Sequence, residues 1–347
     1  MKTIQLLVFV LLLLLMLNVG VSPMFAKAPT TPKILFTSSR DGNGEIYMMN
    51  PDGSEPVNLT QHPATDLQAV WSPTGEQILF VSDRQGAHVR DLYVMDADGS
   101  NVRRVFKKKV TAWRDHPTWS PDGKQFAYQY RDRDRGKYGL YIATLGEEDA
   151  EELPYGSDPE WSPDGSEIAC SVSHQFGAHL TFLDVDTHDR EQPLPDKILR
   201  WQYTPSWSAV GDRLAFSGNE HPIPDIKGKE LLKARELHNV WLDKFTVYIV
   251  NRDGTGLQQL VEEAGPDARV STLSPDGSEV LYTQEINGHS QIFKIDVNTG
   301  VRTQLTHIAG PFRHTNAGGD WFDPAYALPV SPQPHLLTTT WGDVKKQ

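Results

Sequence analysis

Short apolar runs alternate with polar turns along almost the whole chain. One set of runs has alternating apolar positions, as in residues 77–81 and 213–216, and a second set carries an aromatic residue near its start, as in residues 46–49 and 92–95. Alternation with a period of two residues is typical of β-strands. Several runs of the second set end in Asp-Gly, and glycine supplies the positive φ of tight strand connections. The pattern predicts an all-β chain of short antiparallel strands.

A five-residue phrase recurs between these runs. It reads Trp-Ser-Pro-Thr-Gly or Trp-Ser-Pro-Asp-Gly in three copies and is degenerate in three others. The six copies begin at Trp71, Trp119, Trp161, Trp207, Leu273 and Trp321. Successive copies are 48, 42, 46, 66 and 48 residues apart, a period that fits propeller blades of four strands. The recurring tryptophans Trp71, Trp119, Trp161 and Trp207 are therefore predicted to pack between blades.

The six copies of the phrase and the six aromatic strands are offset along the chain. The chain starts with a strand at residues 34–37 that has no preceding Trp strand, and the Trp321 copy is left over at the other end. Pairing these two segments would complete one blade and leave no open edge. The predicted fold is a six-bladed β-propeller with four-stranded blades, closed by the N- and C-terminal strands and carrying one short helical insertion.

The repeat resembles that of the TolB-like β-propellers, whose blades carry the Trp-Ser-Pro-Asp-Gly phrase and a Tyr-Val-Met-Asp-x-Asp-Gly phrase like residues 93–99. The resemblance covers roughly residues 33–324. It implies an exported interaction module without catalytic activity. The chain departs from TolB proper because it begins directly with repeats, without an N-terminal α/β domain, and because one blade contains a long insertion.

The first residues have the pattern of an export signal. Lys2 precedes a nearly continuous apolar run at residues 4–17, and the small residues Ala26 and Ala28 are candidate cleavage points. A run of this length suits a signal peptide and is short for a membrane span. We expect a signal peptide at residues 1–28, with an uncleaved anchor as the alternative. Residues 29–347 then form a single propeller domain with a tail from about residue 329, located in the periplasm or secreted.

Charge and cysteine content narrow the function classes. The chain has 33 Lys and Arg against 45 Asp and Glu, a formal net charge of −12, which disfavours nucleic acid. Cys170 is the only cysteine, so no intrachain disulfide can form, and its strand-like surroundings predict a buried core thiol. Neither a Gly-x-Ser-x-Gly elbow nor a phosphate-binding loop is present. We expect no cofactor, a monomer, and membrane contact only through an uncleaved N-terminus.

The 66-residue step contains an insertion with helical periodicity. Leu231, Leu237, Trp241 and Phe245 recur at helical spacing with charged residues between them. The helix either covers its own blade or serves as a recognition element for a partner, since binding residues concentrate on loops held by rigid scaffolds.

The segments that enter the Trp strands form a second candidate site, because in many propellers they lead to the mouth of the central channel. These segments contain Asp66, Asp115, His116, Asp158, Trp201, Tyr203, Asp267 and His314. Such carboxylates and aromatic rings suit a cationic or sugar-like ligand or a metal. Carboxylates clustered at one mouth would repel each other, which would raise some of their pKa values. The alternative is that the aspartates only accept hydrogen bonds from turn backbone.

Two functional hypotheses follow. The first is an exported, non-catalytic scaffold for a protein or glycan partner. The second is a metal-assisted lyase or hydrolase acting on carbohydrate, with Asp115 and His314 as suspected ligands at the channel mouth. Fold alone does not distinguish them, because propellers host both classes.

Overall fold

The computed structural model describes residues 27–329, except 87–88, 109–110, 155, 176, 196–197, 264 and 310–314. The predicted signal peptide lies almost entirely outside this range, as does the tail beyond residue 329. The described residues form 24 strands and one helix, which confirms an all-β chain.

The first strands form four-stranded antiparallel sheets. One sheet contains, in spatial order, β24 (Asn316–Phe322), β1 (Lys33–Ser38), β2 (Glu45–Met49) and β3 (Val57–Asn58). The next contains β4 (Asp66–Trp71), β5 (Gln77–Ser82), β6 (Asp91–Asp96) and β7 (Arg103–Arg104). A third contains β8 (Trp113–Trp119), β9 (Gln125–Asp132), β10 (Lys137–Thr144) and β11 (Ala150–Leu153).

The following strands repeat this arrangement. One group comprises β12 (Ser157–Trp161), β13 (Glu167–His174), β14 (Gly177–Asp184) and β15 (Arg190–Glu191). The next comprises β16 (Trp201–Trp207), β17 (Arg213–Asn219), β18 (Thr246–Asn251) and β19 (Gln258–Gln259), joined to the previous group by one parallel pair, Ala178 with Trp201. The last sheet comprises β20 (Ala268–Leu273), β21 (Glu279–Ile286), β22 (His289–Asp296) and β23 (Arg302–Gln304).

The strands from the two ends of the described chain share one sheet. β24 pairs antiparallel with β1, with Ile34 opposite Trp321 and Lys33 opposite Phe322. The Trp321 copy of the repeat therefore pairs with the first strand of the chain, as its sequence position predicts.

Each sheet has a bulge in the strand that carries the repeated phrase, which we call the inner strand (β4, β8, β12, β16, β20 and β24). The residue three positions before the Trp or Leu has a positive φ in every inner strand. These residues are Gln68 (52°), His116 (51°), Asp158 (51°), Thr204 (51°), Val270 (57°) and Gly318 (69°). Positive φ is uncommon for residues other than glycine, and a bulge bends its strand. The recurrence makes the bulge part of the repeat.

The recurring tryptophans are buried between neighbouring sheets, as predicted. Trp207 contacts Phe182 of the preceding strand group at 5.5 Å between ring centroids, and Trp71 contacts Phe322 of the first sheet at 5.3 Å. Trp119 and Trp161 are buried to the same degree. These contacts make the repeated position a packing position.

Cys170 is a buried thiol, also as predicted. It lies in β13 among Leu140, Trp161 and Ile168. Burial raises the pKa of its thiol to about 12, so the nucleophilic thiolate is suppressed at neutral pH.

The insertion contains the predicted helix, α1 (Leu231–Leu242), between β17 and β18. Within the described ranges, no helix is long and apolar enough to cross a membrane.

Candidate functional site

The six inner strands surround a central cavity of about 650 Å³. Its lining runs from the bulge residues to the turns that follow the inner strands, where Pro73, Pro121 and Pro163 lie. Leu328 also lines that end, and its backbone N–H donates to the carbonyl of Pro73 at 2.9 Å. The other end, at which the inner strands begin, carries the predicted site residues. We call this end the mouth.

Three bulge residues form a polar chain across β4, β8 and β12. The side-chain oxygen of Gln68 accepts a hydrogen bond from the backbone N–H of His116 at 3.0 Å, and its amide nitrogen lies 2.8 Å from His116 Nε2. The same Nε2 lies 3.3 Å from a carboxylate oxygen of Asp158. The polar chain therefore connects three consecutive inner strands.

His116 is the titratable base of this polar chain. Burial acts to lower its pKa, but the carboxylates of Asp158 and Asp115 outweigh burial, so the pKa is raised. The imidazole therefore holds its proton to a higher pH than a free histidine does.

The two most deeply buried mouth carboxylates are paired with arginines, one in the turn after β5 and one on β9. Asp66 accepts from Arg84 at 2.7 Å, and Asp115 forms an ion pair with Arg131. Burial acts to raise the pKa of Asp115, but His116 and Arg131 reverse this and lower it. Asp115 is therefore not one of the mouth carboxylates whose pKa is raised, and the cation of Arg131 already balances its charge.

Asp267 and His314 complete the predicted mouth residues. Asp267 forms an ion pair with Arg269, yet burial keeps its pKa raised. His314 lies outside the described residues. Asp267 is not in contact with the polar chain.

Four aromatic rings from β16 and the insertion form one aromatic cluster: Trp201, Tyr203, Trp241 and Phe245. Ring centroids are 5.2 Å apart for Trp201 and Trp241, 5.9 Å for Tyr203 and Phe245, and 6.4 Å for Trp201 and Tyr203. The structure thus brings the predicted mouth aromatics and the predicted insertion residues together in one place.

The two halves of α1 differ in burial. Trp241 and Phe245 are buried, so they fasten the helix to its own sheet, and Leu237 is partly buried. Leu231 and its neighbour Leu232 are 84% and 81% exposed at the beginning of the helix. The predicted apolar face therefore serves as an anchor at one end and remains open to solvent at the other.

The aromatic cluster adjoins the polar chain. Burial raises the pKa of Tyr203, and the charge of Asp158 raises it further. The polar chain and the aromatic cluster together span four consecutive inner strands at the mouth, from β4 to β16, and we call them the arc.

Two further carboxylates in the cavity were missed by the sequence prediction. Burial raises the pKa of Glu160 to about 8, with repulsion from Asp320 adding to the rise, and burial raises the pKa of Asp320 to about 7. Both line the cavity at the repeat position immediately before the Trp. The other inner strands have neutral residues there: Val70, Thr118, Ser206 and Thr272. An alignment of the six copies would have revealed the two acids.

Comparison with known proteins identifies relatives of parts of this chain. The family described as TolB beta propeller domain matches residues 18–209, more than half of the chain. An uncharacterized protein of Agrobacterium fabrum is 38% identical over 102 residues, which cover 27% of this chain and 35% of that protein. The Tol-Pal system protein TolB of Desulfosudis oleivorans is 30% identical over 112 residues, covering 32% and 24%. The chain thus spans about a third or less of these relatives' own lengths.

A solved structure gives the same fold. The crystal structure of TolB from Acinetobacter baumannii superimposes with a TM-score of 0.64, covering 83% of this chain and 66% of that chain. The sequence identity is 15%, so the similarity concerns the fold alone.

Proposed function

The chain belongs to the TolB β-propeller domain family, and from that premise we propose that it is an exported, non-catalytic scaffold that binds a partner at the mouth. The six inner strands around one cavity support a propeller of six blades. The pairing of β24 with β1 supports closure of the ring by the two terminal strands.

The arc at the mouth is the observation that carries this proposal. It offers the half-buried rings of Trp201 and Tyr203 beside the polar groups of His116 and Asp158. Aromatic rings next to charged and hydrogen-bonding groups are the composition of binding surfaces, since rings supply contact area and polar groups fix orientation. The arc is also held rigidly, because all four residues lie on inner strands.

A protein partner fits this surface better than a glycan. Leu231 and Leu232 present exposed aliphatic side chains at the beginning of α1, and large exposed aliphatic groups are typical of protein contacts rather than of sugar stacking. Export to the periplasm or the exterior is supported by the signal sequence predicted at residues 1–28.

Partner capture tests the proposal. The full chain and the double variant Trp201→Ala/Tyr203→Ala would be used as bait in envelope extracts, with capture by cross-linking and a parallel glycan array. The matched control is Tyr138→Ala, which removes a ring that is 55% exposed on β10, outside the arc. We expect the double variant to lose a partner that the chain and the control both capture. Equal capture by all three would contradict the proposal.

An enzymatic function is the second candidate, and one observation favours it. Glu160 and Asp320 line the same cavity and titrate near neutral pH, the condition for general acid and base catalysis. Hydrolysis or elimination of a carbohydrate, abolished by Glu160→Gln, would establish this alternative over the scaffold.

A further inference from the structure

Three potential metal ligands meet beside the aromatic cluster, at the base of the insertion. Glu220 and His221 directly follow β17, and Glu263 lies in the connection between β19 and β20. His221 Nε2 is 3.2 Å from a carboxylate oxygen of Glu263 and 3.9 Å from one of Glu220. The three ligand atoms all lie within 4.8 Å of one another.

These separations match the geometry around a single ion. Bonds of about 2.0–2.2 Å in a tetrahedral site place neighbouring ligand atoms roughly 3.3–3.6 Å apart. The 3.2 Å pair is within about 0.1 Å of this spacing, and the 3.9 Å pair requires only a small rotation of the Glu220 side chain. Glu220 is 60% exposed, so such a rotation is unhindered by packing.

The backbone of His221 is fixed from both sides. Its carbonyl accepts the indole N–H of Trp201 at 3.1 Å and that of Trp241 at 3.0 Å. Its backbone N–H donates to the side chain of Asn219 at 2.8 Å, and the Asn219 amide donates to the carbonyl of Trp241 at 2.9 Å. A ligand held in this way loses little freedom on binding a metal, which is the role that supporting contacts have in metal sites.

The electrostatics also favour a dication. With a neutral imidazole the three side chains carry two negative charges. Their field reaches Tyr248: burial raises the pKa of that phenol to about 12, and the charges of Glu263 and Glu220 contribute to the rise. One divalent ion would balance both carboxylates.

We propose that Glu220, His221 and Glu263 bind a divalent transition-metal ion such as Zn²⁺. An imidazole ligand selects against Ca²⁺ and Mg²⁺, which prefer oxygen ligands alone. Three protein ligands leave at least one coordination position open, and the exposure of Glu220 and His221 opens that position to solvent beside the aromatic cluster. The metal site is independent of partner binding at the mouth.

Metal titration of the full chain tests the proposal. After dialysis against chelator and then buffer, Zn²⁺ would be titrated calorimetrically and Co²⁺ followed by its visible absorption and by tryptophan fluorescence. We expect one ion per chain. We also expect Co²⁺ to quench fluorescence, because Trp201 and Trp241 both donate to the His221 carbonyl.

Variants locate the ion. Glu263→Gln and His221→Gln should each weaken Zn²⁺ binding at least about tenfold, because each removes a direct ligand. Glu262→Gln is the matched control, since it changes an exposed neighbour outside the cluster and should bind as the parent chain does. If His221→Gln fails to fold, the near-isosteric Glu263→Gln decides.

Two results would overturn the metal site. One is no binding of Zn²⁺ or Co²⁺ up to about 100 μM, which would leave the contact between His221 and Glu263 as a hydrogen bond without a metal. The other is binding of equal affinity in the parent chain and both ligand variants, which would place the ion elsewhere. Neither readout involves a partner, so failure here leaves the scaffold proposal untouched.

Discussion

The two ends of β16 each carry a tryptophan, and the two residues have different roles. Trp207, at the end of the strand, recurs in the other repeats and packs against Phe182 of the neighbouring strand group. Trp201, at the start, occupies a position that varies between the inner strands, with Trp113 there in β8 and Asp267 just before β20, and it contacts Trp241 and donates to the carbonyl of His221. What recurs in most repeats builds the sheet packing, and what varies between them gathers at the mouth.

The same contrast holds inside the cavity. The bulge residue with positive φ occurs in all six inner strands and shapes the fold. The position before the Trp is neutral in most strands but acidic in β12 and β24, where Glu160 and Asp320 have raised pKa values. Departures from the repeat are therefore the positions at which chemistry should be sought.

The largest expected effect is the loss of folding stability when a recurring tryptophan is replaced by alanine. Trp207→Ala and Trp119→Ala should each lower the free energy of unfolding by about 3–5 kcal/mol, because a buried ring is lost from between two sheets. Trp201→Ala, at the half-buried end of β16, should cost at most about 1–2 kcal/mol. Urea denaturation measures all three. A Trp207→Ala chain no less stable than Trp201→Ala would contradict the comparison.

The next largest expected effect is local unfolding of the helix in the insertion. Trp241→Ala removes the ring that fastens α1 to its sheet, so α1 should open without unfolding the propeller. We expect amide hydrogen exchange within residues 231–242 to accelerate at least about tenfold, while the strands retain the protection of the parent chain. Leu231→Ala, in the exposed first turn, is the control and should leave exchange unchanged. Loss of protection in all sheets would show that α1 is integral to the fold.

Glu160 and Asp320, the two acidic residues at a repeat position that is otherwise neutral, predict a pH dependence of folding stability. Glu160 and Asp320 have pKa values of about 8 and 7 in the folded chain, above the 4.5 and 3.8 of unfolded side chains. The folded state therefore binds their protons more tightly. Their contribution to stability is complete below about pH 4 and is lost as the pH rises through 7 and 8.

Glu160→Gln should remove part of this loss. At pH 9 we expect the variant to be more stable than the parent chain by on the order of 1–2 kcal/mol, a value reduced for contact of the side chain with water in the cavity. At pH 4 the two chains should be nearly equal. Urea denaturation at pH 4, 7 and 9 measures the difference, with the exposed Glu147→Gln as control. Parallel pH profiles for the parent and Glu160→Gln would refute the raised pKa.

The repeat made most of the fold predictable, because each copy reports the same strand and turn. The pairing of the mouth carboxylates was not predictable. Arg84 contacts Asp66, 18 residues earlier, although Asp91 stands closer to it in the sequence. The reason is the bulge: the register of β4 and β5 shifts between Leu67 and Val70, and a shift of this kind changes which side chains face each other. No residue type marks that shift.

The contacts between the rings of the aromatic cluster were also not predictable from the sequence. Trp201 and Trp241 are 40 residues apart, and their contact depends on the path of the insertion between β17 and β18. Helical periodicity predicted that α1 exists and which residues share a face. It carries no information on where that face docks, because docking depends on the geometry of the two connections at its ends.

The smallest effect on stability concerns the exposed turn of α1 and sharpens the comparison between the two ends of β16. The double variant Leu231→Ser/Leu232→Ser should change the free energy of unfolding by no more than about 0.5 kcal/mol, because both side chains are in solvent. It should nevertheless reduce partner capture, since it removes exposed apolar contact area from the insertion whose other end joins the aromatic cluster. Val210→Ser is the matched control: Val210 is 58% exposed in the turn after Trp207, at the opposite end of β16. Capture lost only with the α1 variant assigns docking to the mouth, whereas capture lost only with Val210→Ser would move the partner to the other end of the cavity.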